Sequence, residues 1–368
     1  MKLRIVFTLP YLPKKQNRLQ EKVKYLIVGQ GLTGTWLSYY LLKRGISFKI
    51  INNEKIPSAT SVASGVMNPV TGRRIVQTWM IDTLLPFAVA AYKTFEEEEN
   101  IPIIKEAPIA LIHPSLQMKE SFDYRLTHDN IYLKENKNNT WSSIFNTPFG
   151  TGEVGQCYWI DLIQFLKTGS KKINAHLIRD NFDFSDFKMW DYGVQWKNWN
   201  AEKIIFCDGL NSMNNPYFNA LPFAPNKGEA LIVKIKGLAH TNIYKSNITI
   251  VPWKDDLFWV GSSFEWQFQD SLPTESFKEK MIIALDAVLK IPYEVVDHLV
   301  GIRPANTERR PFVGLHPQFP HLGICNGMGT KGCSLAPYFT KQLIDHIEQG
   351  SLIAPEADVK RFSAILSS

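Results

Sequence analysis

The chain has 368 residues, of which 45% are hydrophobic, with 41 Lys and Arg against 35 Asp and Glu. At about 150 residues per domain, this length predicts two to three folded domains. The composition excludes a disordered chain and a collagen-like repeat. No run of five basic residues marks a nucleic-acid or lipid patch, and no stretch of about 18 apolar residues could span a membrane. We therefore expect neither a nucleic-acid partner nor a membrane span.

The cysteines and the N-terminus indicate the compartment. Cys157, Cys207, Cys325 and Cys333 form no CxxC pair, so they predict reduced, packed thiols rather than a zinc site or a redox dithiol. The eight histidines also lack the spacing of metal ligands. Residues 1–23 have a basic start in Lys2 and Arg4, but prolines interrupt their apolar stretch and no small-x-small cleavage site follows. We predict an N-terminal extension, a cytoplasmic location and no bound metal.

The strongest local signal lies between residues 23 and 51. An apolar strand ends at Val28, and a glycine-punctuated turn, an amphipathic helix and a second apolar strand follow it. Lys43, Arg44 and Gly45 suit the end of that helix. The segment therefore predicts one strand-helix-strand unit, which is the unit that opens many dinucleotide-binding domains.

Three glycines within this unit match the pattern G-x-G-x-x-G. Gly29 suits a tight turn, Gly31 leaves room for a diphosphate, and Gly34 allows the helix to pack closely on its strand. The diphosphate would lie at the positive N-terminal end of the helix, beside Leu32 and Thr33. A second match at 150–155 follows a proline and lacks flanking strands, so we interpret it as a loop.

The end of the second strand departs from the dinucleotide pattern. An acidic residue is expected there to bind ribose hydroxyls, but the sequence reads Asn52, Asn53 and Glu54. Asn52 and Asn53 can donate and accept hydrogen bonds, and Glu54 could reach back toward the same group. We include the two asparagines among the predicted cofactor-binding residues.

Further segments follow in a recognisable order: SATSVASGVMNPVTGRR (58–74), KIIFCDGLNS (203–212), PNKGEALIV (225–233), WVGSSFE (259–265), GIRPANTERRPFVG (301–314) and NGMGTKGCSLAP (326–337). In this order the chain resembles the FAD-dependent amine and amino-acid oxidases, which include D-amino acid oxidase, glycine oxidase and sarcosine oxidase. The resemblance runs from about residue 24 to the C-terminal helix.

The resemblance implies an α/β chain, α+β overall, with a Rossmann-like FAD-binding domain and a second, mostly antiparallel substrate domain. The FAD domain would be discontinuous and would consist of residues 24–85, 152–222 and 300–368. The substrate domain would consist of residues 86–151 and 223–299. Residues 227–270 are rich in Val, Ile, Trp and Phe with a break at 254–256, which independently predicts a hairpin of sheet strands. The strand at 203–207 runs into Asp208 and Gly209, a second turn where backbone could approach a cofactor.

The resemblance also implies the site residues. Arg303, in the GIRP segment, would clamp a substrate carboxylate with two parallel hydrogen bonds. Lys331 would lie near that carboxylate and the flavin. Tyr244 could supply a phenol, because relatives carry a tyrosine where this chain has Thr249, and Phe264 could line the pocket. The remaining predicted cofactor contacts lie in two glycine-containing segments and the second turn: Ala63, Ser64, Gly65, Val66, Gly209, Gly329, Thr330 and Gly332.

We therefore predict a flavoenzyme that oxidises the C–N bond of a small amine or amino acid by hydride transfer to FAD. Sarcosine oxidase-like enzymes attach FAD to a cysteine near the position of Arg303, but this chain has none between residues 208 and 324, so we expect FAD to be non-covalent. Two alternatives stay open: a flavoenzyme acting on a glycine-like group of a tRNA base, and a non-catalytic dinucleotide-binding module. The substrate is undecided, and the electron acceptor is oxygen or another carrier.

Overall fold

The computed structural model describes residues 21–53, 58–128, 131–136 and 141–367. Most of the predicted N-terminal extension and Glu54 lie outside these ranges. The first strand begins at Glu21, so the last three residues of that predicted extension belong to a sheet. Across the described ranges, no helix is both long and apolar enough to cross a membrane.

The helices of the described chain are spread over its whole length. Five of them have twelve or more residues, and each of the five buries apolar side chains on one face. In chain order the helices are α1 (Leu32–Lys43), α2 (Ile81–Glu99), α3 (Leu116–His128), α4 (Leu162–Lys172), α5 (Glu275–Val288), α6 (Gly332–Gln349) and α7 (Ser363–Leu366).

The strands are mostly short. In chain order they are β1 (Glu21–Val28), β2 (Phe48–Ile51), β3 (Val66–Met67), β4 (Val70–Thr71), β5 (Val76–Gln77), β6 (Ile104–Glu106), β7 (Ile109–Ile112), β8 (Leu133–Glu135), β9 (Thr151–Val154), β10 (Tyr158–Ile160), β11 (Leu177–Ile178), β12 (Phe187–Trp190), β13 (Gly193–Trp196), β14 (Trp199–Phe206), β15 (Asn226–Lys234), β16 (Ile243–Lys245), β17 (Thr249–Pro252), β18 (Leu257–Gly261), β19 (Glu294–Arg303), β20 (Phe312–Leu315) and β21 (Leu322–Asn326).

The first large sheet, sheet A, contains the predicted strand-helix-strand unit. Its order is β11-β2-β1-β14-β13-β12, with β21 also paired to β14 and β20 to β21. The strands β11, β2, β1, β14 and β21 are mutually parallel where they pair, as in a Rossmann-like sheet. Helices α1 and α6 pack together, and Leu37, Phe339 and Leu343 lie in one buried cluster with Ile27 and Ile205 of the sheet. Parallel strands end at one edge, so the turns after β1, β14 and β21 meet there.

The second large sheet, sheet B, has the order β19-β15-β18-β17-β16-β7-β9-β8. Its pairings are antiparallel except that between β16 and β7. One face packs on α5 and the other faces α1, α2 and the loop that follows β2. Two smaller sheets are present in the described residues. One has the order β3-β10-β6, and the other consists of β4 and β5.

The predicted fold class, an α/β sheet beside a mostly antiparallel one, is confirmed. The proposed boundaries at residues 152 and 300 fall inside β9 and β19, both of which belong to sheet B. The division into two domains remains a prediction.

Candidate functional site

The turn between β1 and α1 is built from glycines that have different tasks. Gly29 has a φ of +92°, and a Cβ there would lie 2.7 Å from the Cys207 carbonyl oxygen. A Cβ on Gly34 would lie 1.9 Å from the Gly29 carbonyl oxygen. At Gly31 a Cβ would meet only the Thr60 hydroxyl, at 3.5 Å. Gly29 and Gly34 are therefore required by the fold itself, whereas Gly31 leaves open space above the backbone.

Helix α1 begins at this turn without a protein anion. Its first turn has no acidic residue and Gly31 provides no side-chain cap. The Leu32 amide donates to the Thr60 hydroxyl at 3.1 Å, and the Gln30 amide donates to Asn52 Oδ1, also at 3.1 Å. A helix N-terminus with this arrangement is suited to a phosphate group. Thr60, which the sequence did not single out, connects the loop after β2 to this turn.

The two asparagines at the end of β2 are engaged within the protein. Asn52 Oδ1 accepts the hydrogen bond from Gln30, so Asn52 shapes the turn directly. Asn53 Nδ2 donates to Asn181 Oδ1 at 2.9 Å. The role of either asparagine toward a ribose remains a prediction, and Glu54 lies outside the described residues.

The loop after β2 spans the space between sheets A and B. The 3₁₀ turn Ala59–Val62 packs on Gly301 of β19, where a Cβ would lie 2.4 Å from Val62. The Trp259 indole of β18 donates to the Val62 carbonyl oxygen at 3.1 Å. Gly65, with a φ of +75°, packs against the Ile160 carbonyl oxygen. Of the predicted segment 63–66, Gly65 thus has a structural task, and Ala63 and Ser64 lie between it and the 3₁₀ turn.

The predicted second turn lies at the end of β14, against the turn after β21. Burial raises the pKa of the Asp208 carboxyl to about 6, and its Oδ1 accepts a hydrogen bond from the Ser212 hydroxyl. Asn326 Nδ2 donates to the Gly209 carbonyl oxygen at 2.8 Å and to the Ser212 hydroxyl at 2.9 Å. Asn326 was not predicted, although it is a polar residue at the end of an apolar strand. It holds the two strand ends together.

The predicted glycine segment before α6 meets the α1 turn. A Cβ on Gly332 would lie 3.0 Å from Leu32, so the N-terminal ends of α1 and α6 are neighbours. The Gly329 amide donates to the Pro304 carbonyl oxygen at 3.3 Å, and Pro304 is also the nearest neighbour of a Cβ on Gly209. Thr330 is exposed at this turn. The glycine turns therefore follow one continuous track, with open backbone at Gly31, which fits a long dinucleotide such as FAD.

Arg303 lies at the end of β19, beside this track. Its guanidinium covers Gly228, where a Cβ would lie 2.0 Å from Nη2, so only glycine leaves room for it. Nη1 donates to Asn226 Oδ1 at 2.6 Å and to the Ser263 carbonyl oxygen at 3.2 Å, and Nη2 donates to the Ser262 hydroxyl at 2.8 Å. No role was predicted for the partners Asn226 and Ser262.

The charge of Arg303 has no protein counter-ion in the described part of the chain, where no carboxylate lies within 4.0 Å. Burial lowers the pKa of Arg303 to about 10, so the side chain stays cationic at neutral pH. A guanidinium has five N–H groups, and three are used here, which leaves one on Nη2 and the one on Nε. These two can hold a carboxylate side-on. Phe264, predicted to line the pocket, is 60% exposed and lies over the guanidinium at 4.7 Å.

Lys331 reaches the segment between β3 and β4. Its Nζ donates to Asn68 Oδ1 at 2.6 Å. Burial, and next the charge of Lys245, lower the pKa of Lys331 to about 8. Arg303 and Lys331 flank the contact between Pro304 and Gly329, and both are cationic near neutral pH.

Tyr244 does not join these residues, which corrects the hypothesis that it supplies a phenol. It is 1% exposed and lies on the α5 side of sheet B, where its hydroxyl donates to the Ala239 carbonyl oxygen at 2.9 Å. Successive strand residues point to opposite faces, so Tyr244 is turned away while Ile243 and Lys245 face the site. Within the described ranges, no group of three or more His, Cys, Asp or Glu side chains is placed to hold a metal.

Comparison with known proteins shows which family the chain resembles. Residues 178–345 match the family model of FAD dependent oxidoreductases. Over this part of its length the chain is similar to the FAD dependent oxidoreductases. A glycine oxidase of Pseudomonas aeruginosa is 29% identical over 151 residues, which are 39% of this chain and 41% of that enzyme. The match thus spans about two fifths of that relative.

Solved structures support the fold over nearly the whole chain. Glycine oxidase from Bacillus cereus superposes with a TM-score of 0.76 and 17% identity, covering 90% of this chain and 96% of that one. Iminodiacetate oxidase from Chelativorans has a TM-score of 0.73 and 17% identity, covering 91% and 98%. L-proline dehydrogenase from P. horikoshii has a TM-score of 0.74 and 16% identity, covering 94% and 99%. The predicted resemblance to this group of flavoenzymes is confirmed.

Proposed function

We propose that this protein binds FAD without a covalent bond and oxidises the C–N bond of a small amine or amino acid. The observation that carries the proposal is the Arg303 guanidinium, which is partly buried, has only neutral protein partners and lies beside the glycine track. The family match and the glycine oxidase relative support the same chemistry.

The predicted residues would have distinct tasks with FAD. Gly31 and the α1 N-terminus would hold the diphosphate, and the turn Gly329–Lys331 with the start of α6 would lie along the flavin. When bound, FAD supplies the hydride acceptor. The four cysteines are buried and unbridged, which supports the non-covalent form and the cytoplasm as our proposed location.

The chain would contribute binding and orientation to the reaction. Arg303 would fix the substrate carboxylate through its free Nε–H and Nη2–H, and so hold the α-carbon in one position. Asn226 and Ser262 would keep the guanidinium in place, since each accepts one of its hydrogen bonds. Trp259 and Val251 form part of the buried sheet face on this side and would help to exclude water.

The proposal is tested first by the cofactor and then by the substrate class. Purified protein should absorb as a flavoprotein and release FAD on heat precipitation. A panel of amino acids and N-methyl amino acids, added without oxygen, should include compounds that bleach the flavin. Colourless protein that does not take up added FAD would refute the cofactor, and an unbleached flavin across the panel would refute the substrate class. The electron acceptor is oxygen or another carrier, and the rate at which air reoxidises the bleached protein tests oxygen.

A further inference from the structure

A second lysine enters the site from sheet B. Lys245 lies at the end of β16, beside Thr249 of β17 and Leu111 of β7 in the strand register. The other side chains of this face are largely apolar, as Ile109, Leu111, Val251 and Trp259 show. Lys245 is therefore a cationic group on an apolar floor that faces the cofactor-side elements.

Lys245 and Lys331 meet at the same residue. Asn68 accepts a hydrogen bond from Lys331, and Asn68 and Lys245 both line one small cavity. The cavity has a volume of about 20 Å³, and its other walls are mostly apolar: Val70, Thr71, Gly72, Ile75, Ile109, Leu111, Met118 and Val154. A space of this size accepts about one water-sized polar group.

This pair of lysines has no counter-ion in the described part of the chain. Neither ammonium group forms an ion pair within 4.0 Å there. Burial lowers the pKa of both lysines, and the charge of Lys245 lowers the pKa of Lys331 further. Two ammonium groups in apolar surroundings are unfavourable unless an anion compensates them. The cluster is thus arranged for an anionic group that the chain does not itself supply.

The lysine pair and Arg303 lie at two ends of one sheet face. Gly261, Thr249 and Lys245 are register neighbours on three successive strands, and Ser262, next to Gly261, binds Arg303. Two strand spacings of about 4.8 Å separate the outer positions by about 10 Å. This is a separation of backbone positions, and it matches in scale a short chain that carries two carboxylates, each held by a charge-assisted hydrogen bond.

We propose that Lys245 and Lys331 bind a second anionic group of the substrate, so that the preferred substrate is a small amino acid with two carboxylates. This inference rests on the proposed function, because Arg303 has to hold the first carboxylate. The chain between the two anionic ends would cross the floor formed by Thr249 and Gly261.

Binding of unreactive carboxylates tests the inference. Glutarate and pentanoate have five carbons each and differ by one carboxylate, and their affinities for the purified holoprotein are measured by calorimetry and by the change in flavin absorbance. Glutarate should bind at least about tenfold more tightly than pentanoate, because it makes one additional charge-assisted contact. Lys245→Met should remove this preference and leave pentanoate affinity unchanged. Lys245→Arg should retain it, and Lys254→Met, at an exposed lysine on the same sheet, should not alter it.

Three results would overturn the inference. The first is equal affinity for glutarate and pentanoate in the unmodified protein, and the second is a preference for glutarate that survives Lys245→Met. The third is a glutarate affinity that Arg303→Met leaves unchanged, because the lysines would then bind free anions without the help of Arg303. The two proposals fail separately. If monocarboxylate amino acids bleach the flavin but glutarate has no advantage, only the second carboxylate is refuted. If glutarate has the advantage but no amine bleaches the flavin, only the proposed oxidation is refuted.

Discussion

Replacing Arg303 removes a defined set of contacts. In the free protein its guanidinium uses three N–H groups on Asn226, Ser262 and Ser263, and two remain for a carboxylate. Arg303→Met abolishes that pair. Losing a charge-assisted contact of this kind costs about 2 to 5 kcal/mol, which is a fall of about 30- to several-thousand-fold in kcat/KM. Arg303→Lys should recover only part of the loss, because an ammonium cannot form the parallel fork.

The assay compares an amino-acid substrate with the same amine lacking its carboxylate. Anaerobic flavin bleaching gives kcat/KM for each, and the loss in Arg303→Met should be confined to the carboxylate-bearing compound. FAD content and thermal stability are measured alongside, with Arg179→Met, at an exposed arginine directly after β11 of sheet A, as the matched control. An unchanged kcat/KM toward the amino acid in protein with a full FAD content would refute the clamp.

Three further changes test separate parts of the structure. Gly31→Ala should leave the fold intact yet weaken FAD binding, whereas Gly34→Ala, whose Cβ would lie 1.9 Å from a carbonyl oxygen, should lower the thermal stability of the apoprotein; equal effects on stability would contradict this. Glutarate affinity should fall as pH rises through about 8, because Lys331 of the ligand-free protein then loses the proton that gives it its charge. Lys331→Met should abolish this pH dependence. The pKa of Asp208 is raised from 3.8 to about 6, so its ionisation destabilises the fold as pH rises through that range. Asp208→Asn should thus raise the free energy of unfolding by about 3 kcal/mol at pH 7 and little at pH 4 in urea titrations, and an equal gain from exposed Asp255→Asn would refute the cause.

The first unit of the fold could be predicted because its signals are local. A strand, a glycine turn and a helix within about 30 residues leave a pattern that periodicity reveals. The structure places α1 at Leu32–Lys43 and β2 at Phe48–Ile51, as this pattern predicts. Gly29 and Gly34 could be identified because turn geometry and close packing restrict those positions to glycine.

The partners of Arg303 could not be predicted in the same way. Asn226 lies 77 residues from Arg303 in the chain, and Ser262 lies 41 residues away, so they meet only through the register of β15, β18 and β19. A single sequence does not specify that register. The face of β16 was a different case, because alternation along Ile243, Tyr244 and Lys245 already places Tyr244 opposite its neighbours. This alternation would have favoured Lys245, rather than Tyr244, as the residue of β16 that faces the site.

A single anaerobic turnover tests the central claim most directly. Holoprotein is mixed without oxygen with one equivalent of a primary amino acid found to bleach the flavin, and both the flavin absorbance and the ammonia released by hydrolysis of the imine product are measured after the reaction. Cleavage of a C–N bond following two-electron oxidation predicts about one equivalent of ammonia for each flavin reduced. Flavin bleaching without release of ammonia, or an oxidised flavin with every carboxylate-bearing primary amine tested, would contradict the account.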